Sequence, residues 1–387
     1  MKIAVIGAKG LPPKQGGIEH YCAGVYPRMV AQGHEVDLFG RSSYTDLPAF
    51  HEHNFEGVRT ISMPSISMRG MDALASSAIG AVMASKTHYD IVHFHALGPS
   101  LFTWLPKLAN RSTKIVVTCQ GLDWQREKWG KLSSRMIRLG EQAAAKYADG
   151  LVVVSDDLRQ YFKNTYSRDT LYIPNAPGIY AESDPSFAFG KSLGLTQGKY
   201  MVYVGRLVPE KCPDLLINAF KQLKNTGWKL VFVGGTSDTH GFTATLKQLA
   251  SDCPEIIFAG ELRGARLAEI VRGAGLFTLP SNLEGLPLAM LEGMQEGIPV
   301  VSSDIPPHRQ LIGDDRGIMF EAGDTDSCTA ALGWAIEHPI EMRVLGDRAQ
   351  QHVKRHYTWD QITLDNLALY DSLLGSNIQN SVVLTAR

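Results

Sequence analysis

Short apolar runs alternate with longer mixed segments along the whole chain, from KIAVIG at residues 2–7 to PVVSS at residues 299–303. Runs of this length, bounded by Gly, Pro and Asp, predict buried strands of parallel sheets, and the mixed segments predict the helices that cover them. In the first half the predicted strands are KIAVIG, EVDLFG, TISM, IVHFH, KIVVTC and GLVVVS, and in the second MVYVG, KLVFVG, IIFAG, LFTLP and PVVSS. Between the two sets lies a Pro-, Gly- and Ser-rich stretch centred on residues 177–198, which predicts a linker. Helical spacing returns in QITLDNLALYDSLL, ahead of a tail over 376–387 that the sequence gives little reason to order.

Two open sheets of this kind predict an α/β protein of two Rossmann-like domains. Residues 1–176 form the first and residues 199–357 the second, with the helix over 358–375 after it. Facing sheets leave a cleft at the carboxyl ends of their strands, and function is expected there. The length of 387 residues supports two cores rather than one.

Composition narrows the classes. With 44% hydrophobic and 20% charged residues the chain reads as an ordinary globular protein. The first apolar run is too short for a secretory h-region, and no stretch approaches the roughly 20 apolar residues of a membrane span. The five cysteines are scattered and contain no C-x-x-C pair, a pattern of reduced thiols that predicts a cytoplasmic protein. Residues 1–175 carry 20 Lys and Arg against 15 Asp and Glu, whereas the remainder carries 18 against 24. That modest excess suits anionic substrates or lipid in the first domain, but falls short of the basic stripe that nucleic acid requires.

Three loops carry candidate chemistry. In IAVIGAKGLPPKQGGIEHY, Gly7 and Gly10 are misplaced for a dinucleotide fingerprint, while Gly16 and Gly17 deliver bare backbone to a helix N-terminus. This pair reads as an anion cradle or as a plain turn. In MVYVGRLVPEKCPDLLINAF, Arg206 follows a strand and Lys211 precedes a helix, so the two cations can hold a diphosphate or form a surface cluster with Glu210. In PSNLEGLPLAMLEGMQEGIPVVSSD, Pro287 suits the first helical position, and Gly285 permits close approach to the amides around Leu288 and Ala289. Glu284 and Glu292 bracket that turn. A carboxylate among apolar neighbours, as Glu292 is, is costly unless paired, and a vicinal diol such as that of ribose offers two donors. Each acid also reads as a solvated surface group.

Taken together, Gly16-Gly17, Arg206 with Lys211, and Glu284 to Glu292 in E-G-L-P-L-x-x-L-E resemble the retaining glycosyltransferases of family 4, with the GT-B fold. The resemblance runs from residue 1 to about 375 and extends to VVVSDDLRQYF, YIPNAP, VGRLVPEK, GIPVVSSD and YTWDQI. It implies that the C-terminal helix over 358–375 crosses back to the first domain, that Arg206 and Lys211 bind the nucleotide diphosphate, that Glu284 contacts donor-sugar hydroxyls and that Glu292 holds the ribose. The backbone of Gly285, Leu286, Pro287 and Leu288 would meet sugar and phosphate. Arg206, Lys211 and Glu284 are therefore the expected catalytic groups. The family's T-x-H-G strand end is here KIVVTCQG, with Gln120 where a histidine contacts the donor, so only a polar contact carries over. The following GLDWQREKWG resembles a subgroup found with bacterial surface polysaccharide genes, which makes Asp123, Trp124 and Arg126 acceptor-side candidates beside Gln120. A packed tryptophan in an ordinary loop is the plainer account of that segment.

His93 and His95 alternate on one strand, yet no third ligand accompanies them, so no metal is expected; His95, nearer the strand end, is an acceptor-side candidate. Lys128, Lys131, Arg135 and Arg138 share a helix with Trp129, Leu132, Met136 and Leu139, a face that suits either solvent or peripheral contact with anionic membrane.

The expected reaction moves a hexosyl group from a nucleotide diphospho-sugar to a hydroxyl of a saccharide or lipid-linked saccharide, without cofactor or metal. The resemblance implies a uridine donor, guanosine being the alternative. A nucleotide-sugar epimerase and a non-catalytic nucleotide-sugar-binding partner are the rival readings; the Pro12-Pro13 loop disfavours a nicotinamide dehydrogenase.

Overall fold

The computed structural model describes residues 1–14, 16–65, 71–125, 130–224, 226–235 and 240–375. The chain divides into two compact units: one runs from Met1 to Ala176 and resumes at Trp359, and the other is Pro177–Thr358.

The first unit is built on β1 (Lys2–Ile6), β2 (Glu35–Arg41), β3 (Glu52–Phe55), β4 (Val58–Met63), β5 (Ile91–His95), β6 (Lys114–Cys119), β7 (Gly150–Val153) and β8 (Leu171–Tyr172). They lie in the order β3-β4-β2-β1-β5-β6-β7-β8 and are parallel except for the β3–β4 hairpin. Central strands such as IVHFH are buried along their whole length because helices cover both faces, which explains the unbroken apolar runs.

The helix Gly17–Ala31 buries Tyr21, Cys22, Val25, Tyr26 and Met29, the i, i+4, i+8 spacing of one helical face. The helix Trp359–Leu374 lies beside it. A Cβ on Gly24 would come within 2.4 Å of the Trp359 ring, so only glycine allows this approach, and Arg28 Nε donates to Asp360 at 2.7 Å near the same joint. Together these contacts fix the C-terminal helix to the first sheet.

The second unit contains β9 (Tyr200–Val204), β10 (Lys229–Val233), β11 (Ile256–Gly260), β12 (Leu276–Leu279), β13 (Val300–Ser303) and β14 (Ile318–Phe320), all parallel, in the order β11-β10-β9-β12-β13-β14. Counted within the unit this is 3-2-1-4-5-6, the doubly wound order whose switch point lies between its first and fourth strands.

All eleven expected strands are present. The sequence reading missed β3, β8 and β14, which are four, two and three residues long and lie at sheet edges. Such short edge strands carry too little apolar pattern to announce themselves. The stretch expected as a linker is instead packed into the second unit. It contains the helix Ala188–Ser192, buries Phe187, and receives Arg272 on its Ala181 carbonyl. Among the described residues no helix is long and apolar enough to cross a membrane.

Candidate active site

The switch point of the second sheet lies between β9 and β12, and the loops leaving these two strands carry the charged residues singled out by sequence. After β9 come Arg206 and a 3-10 turn, Pro209–Lys211; Pro213 then opens the helix Pro213–Gln222. After β12 come Ser281 and Glu284. The two loops are joined by backbone, Asn282 N–H donating to the Glu210 carbonyl at 2.9 Å.

Lys211 Nζ donates to Glu284 Oε1 at 2.5 Å, and the two side chains are only 16% and 12% exposed. Ser281 Oγ donates to the same oxygen at 2.8 Å. Burial alone would raise the Glu284 carboxyl, but the charge and hydrogen bond of Lys211, with His308 and Ser281 behind them, hold it below the ordinary carboxylate range. Glu284 is therefore an anion with a fixed orientation. Arg206, 41% exposed, lies 3.8 Å from Glu210.

The helix Leu288–Gln295 begins one residue later than expected. Pro287, with ψ of 85°, stands just outside it, and its carbonyl accepts from Met290 and Leu291. Extended ψ at Pro287 keeps it from the first helical position, and the amides of Leu288 and Ala289 thereby become the first two of the helix, which have no helical carbonyl ahead of them.

Glu292 is half-buried on that helix and accepts from Tyr180 Oη at 3.2 Å and from Gly178 N–H at 3.4 Å. Burial pushes its carboxyl up to about 7, and these two long hydrogen bonds only partly counter it. Tyr180 and Gly178 were missed by sequence because they lie in the stretch read as a linker. Also missed was His308, in the helix Pro306–Ile312. Its Nδ1–H donates to the Ser303 carbonyl at 2.8 Å, and Ser303 Oγ donates to the Ser281 carbonyl at 2.5 Å, so the loops after β12 and β13 are tied together. Burial lowers His308 to about 4, against the charge of Glu284. The run GIPVVSSD pointed at this loop without assigning it a role.

The first unit arranges its candidates differently. Gly16 has φ of 101° and precedes the helix Gly17–Ala31, but the carboxylate of Glu19, 3% exposed, folds back there and accepts from Lys9 N–H at 2.8 Å. An anion belonging to the chain thus already stands at the glycine pair. His95 is not at an open strand end: it is fully buried, stacked on His93 with ring centroids 4.4 Å apart, because the two helices packed on the sheet cover β5. Tyr26 Oη bridges both rings, at 3.1 Å from His93 and 2.7 Å from His95, and His93 also bonds Tyr370 and Thr118. Burial holds both imidazoles neutral, His95 down to about 3. Among the described residues no three His, Cys, Asp or Glu side chains are grouped to hold a metal ion.

Gln120 exchanges hydrogen bonds with Asn175 of the YIPNAP run, accepting at 2.7 Å and donating at 3.4 Å. Asp123 and Trp124 lie in the 3-10 turn Asp123–Gln125, both half-buried. Arg126 lies outside the described residues, as do Lys128 and Trp129.

Comparison with known proteins places these features in context. A family model described as glycosyl transferases group 1 matches residues 188–352, and one described as glycosyltransferase family 4 matches residues 15–176. The chain is 24% identical to glycosyltransferase MJ1607 of Methanocaldococcus jannaschii, over 96% of this chain and 98% of that one. It is 25% identical to the D-inositol 3-phosphate glycosyltransferase of Gordonia bronchialis, over 93% and 85%. Among solved structures, sucrose-phosphate synthase from Thermosynechococcus elongatus superposes with a TM-score of 0.81 at 20% identity, covering 97% of this chain and all of that one. HepE from Anabaena, solved in complex with UDP-glucose, gives 0.78 at 17% identity over 96% and 100%. Both structures show the same fold.

Proposed function

Since the chain belongs to the family 4 glycosyltransferases with the GT-B fold, we propose that it transfers a hexosyl group from a UDP-sugar to a hydroxyl of a saccharide acceptor, with retention at the anomeric carbon. The observation that carries this reading is the Lys211–Glu284 pair at the switch point of the second sheet, beside the first amides of the helix Leu288–Gln295. A cation and free N–H groups set together can hold a diphosphate, while the adjoining carboxylate accepts from sugar hydroxyls.

Breaking the bond between the anomeric carbon and the diphosphate oxygen leaves positive charge on the sugar and negative charge on the leaving group. Lys211, Arg206 and the amides of Leu288 and Ala289 stabilise the latter without a metal, and do so in positions fixed before reaction. The acceptor oxygen bonds to the anomeric carbon on the face the phosphate leaves, and its proton passes to a phosphate oxygen. Glu292 takes the ribose diol, whose two hydroxyls replace the long contacts from Tyr180 and Gly178. UDP-bound relatives of the same fold, such as HepE, support uridine over guanosine. On this reading the acceptor binds the first unit, and the product belongs to a surface polysaccharide.

A mass-spectrometric screen of nucleotide sugars with saccharide acceptors, followed by proton NMR of the product's anomeric coupling, tests the reading. Transfer from a UDP-sugar with the α-configuration kept in the product is expected; an inverted product, or epimerisation of the donor without transfer, would overturn it.

The helix Lys131–Tyr147 favours a peripheral seat on anionic lipid. Its exposed side chains include Lys131, Leu132, Arg135, Arg138 and Leu139, and no acid is exposed along it. Co-sedimentation with phosphatidylglycerol vesicles that falls with added salt is the expected result.

A further inference from the structure

The first unit holds one buried carboxylate that no step above uses. Glu141 is 1% exposed on the helix Lys131–Tyr147, and all its described partners are aromatic. Its Oε2 accepts from Trp124 Nε1 at 2.7 Å; its Oε1 accepts from Tyr161 Oη at 2.7 Å and Tyr166 Oη at 2.6 Å. The guanidinium of Arg138, one turn earlier, lies 4.0 Å from the centroid of the Trp124 ring.

Filling space does not require this arrangement. Removing a carboxylate from water is costly, and three neutral hydrogen bonds offset that cost at best, so leucine against phenylalanine would serve a core as well. What distinguishes the cluster is which atoms face which way. Trp124, Tyr161 and Tyr166 are each half-buried, and their polar atoms are directed inward to an oxygen pair that solvent does not reach. Arg138 covers one face of Trp124 and the rings of Tyr161 and Tyr166 stand at 74° to each other, so the ring surface offered to a ligand is the Trp124 face opposite Arg138, held in place from its Nε1 edge. Ring faces carry partial negative charge and attract polarised C–H groups, which a pyranose supplies on its less polar face.

We infer that Glu141 is a positioning residue which, through Trp124 Nε1 and braced by Tyr161 and Tyr166, fixes the Trp124 ring as a stacking face for a sugar ring of the acceptor. The inference rests on the proposed transfer to a saccharide and deepens it. Trp124 is the contact residue; Glu141 acts through it.

The full chain labelled with 5-fluorotryptophan provides the test, with Trp124→Phe identifying the Trp124 signal among the six tryptophans. The probes are methyl glycosides of glucose, galactose, rhamnose and N-acetylglucosamine, titrated by fluorine NMR and by saturation-transfer difference NMR with UDP present. At least one glycoside is expected to shift the Trp124 signal, and Trp124→Ala is expected to weaken its binding about tenfold, the loss of one good stacking contact. Glu141→Leu should weaken glycoside binding similarly while UDP affinity stays unchanged, and Glu141→Gln, which keeps one acceptor oxygen, should recover part of it. Should no glycoside move the Trp124 signal, or should Trp124→Ala or Glu141→Leu bind as the wild type does, the inference is overturned. UDP binding to the wild type is read separately. Its absence would count against the donor assignment and leave the Trp124 result standing.

Discussion

The two sheets of this protein are built alike, yet the groups at their central strands have opposite character. In the second unit, the loops after β9 and β12 hold Lys211 and Glu284 as a paired cation and anion, with Glu292 nearby raised to about 7. In the first, β5 ends in two neutral imidazoles closed in by Tyr26 and Tyr370, and the adjacent helix N-terminus is met by Glu19. One topology therefore supports both a charged site and a sealed polar core. The difference lies in what covers the strand ends: short loops in one case, and the helices Gly17–Ala31 and Trp359–Leu374 in the other.

The comparison predicts effects of decreasing size. Lys211→Ala should cut turnover by about 10²–10³-fold, as removal of one preorganised charge does elsewhere, and should also lower stability by roughly 3 kcal/mol because Glu284 is left buried without its cation. Steady-state kinetics with a UDP-sugar and urea unfolding measure the two parts.

Acid should act on the first unit. His93 and His95 are held far below 6.5 by burial, so below that pH the unfolded chain binds two protons that the folded chain does not. The two imidazoles should contribute a fall in stability of about 2.7 kcal/mol per pH unit as the pH drops from 6 toward 4, to which His308 adds and which Glu292 opposes. Urea unfolding of wild type and His95→Leu across this range checks it: the slope should be smaller by about 1.4 kcal/mol per pH unit in the variant.

Glu292→Gln should act in the reverse sense. Its carboxyl is raised from 4.5 to about 7 in the fold, so ionisation costs stability above pH 4.5, and the penalty is complete above about pH 7. Removing it should stabilise the ligand-free protein by up to about 3 kcal/mol at pH 8 and by almost nothing at pH 4. UDP affinity should fall in the same variant. Stability and binding would then move in opposite directions, as expected where a costly group is kept for a ligand.

The smallest effect is expected from Tyr26→Phe, which removes the bridge between the two histidines. It should cost about 1–3 kcal/mol by leaving the buried His95 Nε2 without its hydrogen bond, with UDP affinity unchanged by calorimetry.

Much of this was legible in the chain. Unbroken apolar runs of buried parallel strands gave eleven of the strands, and glycine and proline marked the loops after β9 and β12 that carry Arg206, Lys211 and Glu284. Short edge strands aside, the misses in the side-chain clusters share one cause: a partner distant in sequence. Nothing near Glu292 points to Tyr180, 112 positions earlier. His95 alternates like a strand-end residue, and only the return of Tyr370, with the helix that carries it, shows why its strand is closed. Trp124 gave no local sign that Glu141 would hold its N–H, because that contact joins a 3-10 turn to a helix whose visible pattern is its basic face.

The central claim is that the loops after β9 and β12 hold the diphosphate of the donor. Isothermal calorimetry of UDP and of uridine, with wild type and Lys211→Ala, tests it most directly. The account predicts that Lys211→Ala weakens UDP by more than about tenfold and leaves uridine binding unchanged; equal UDP affinity in the two proteins would contradict it.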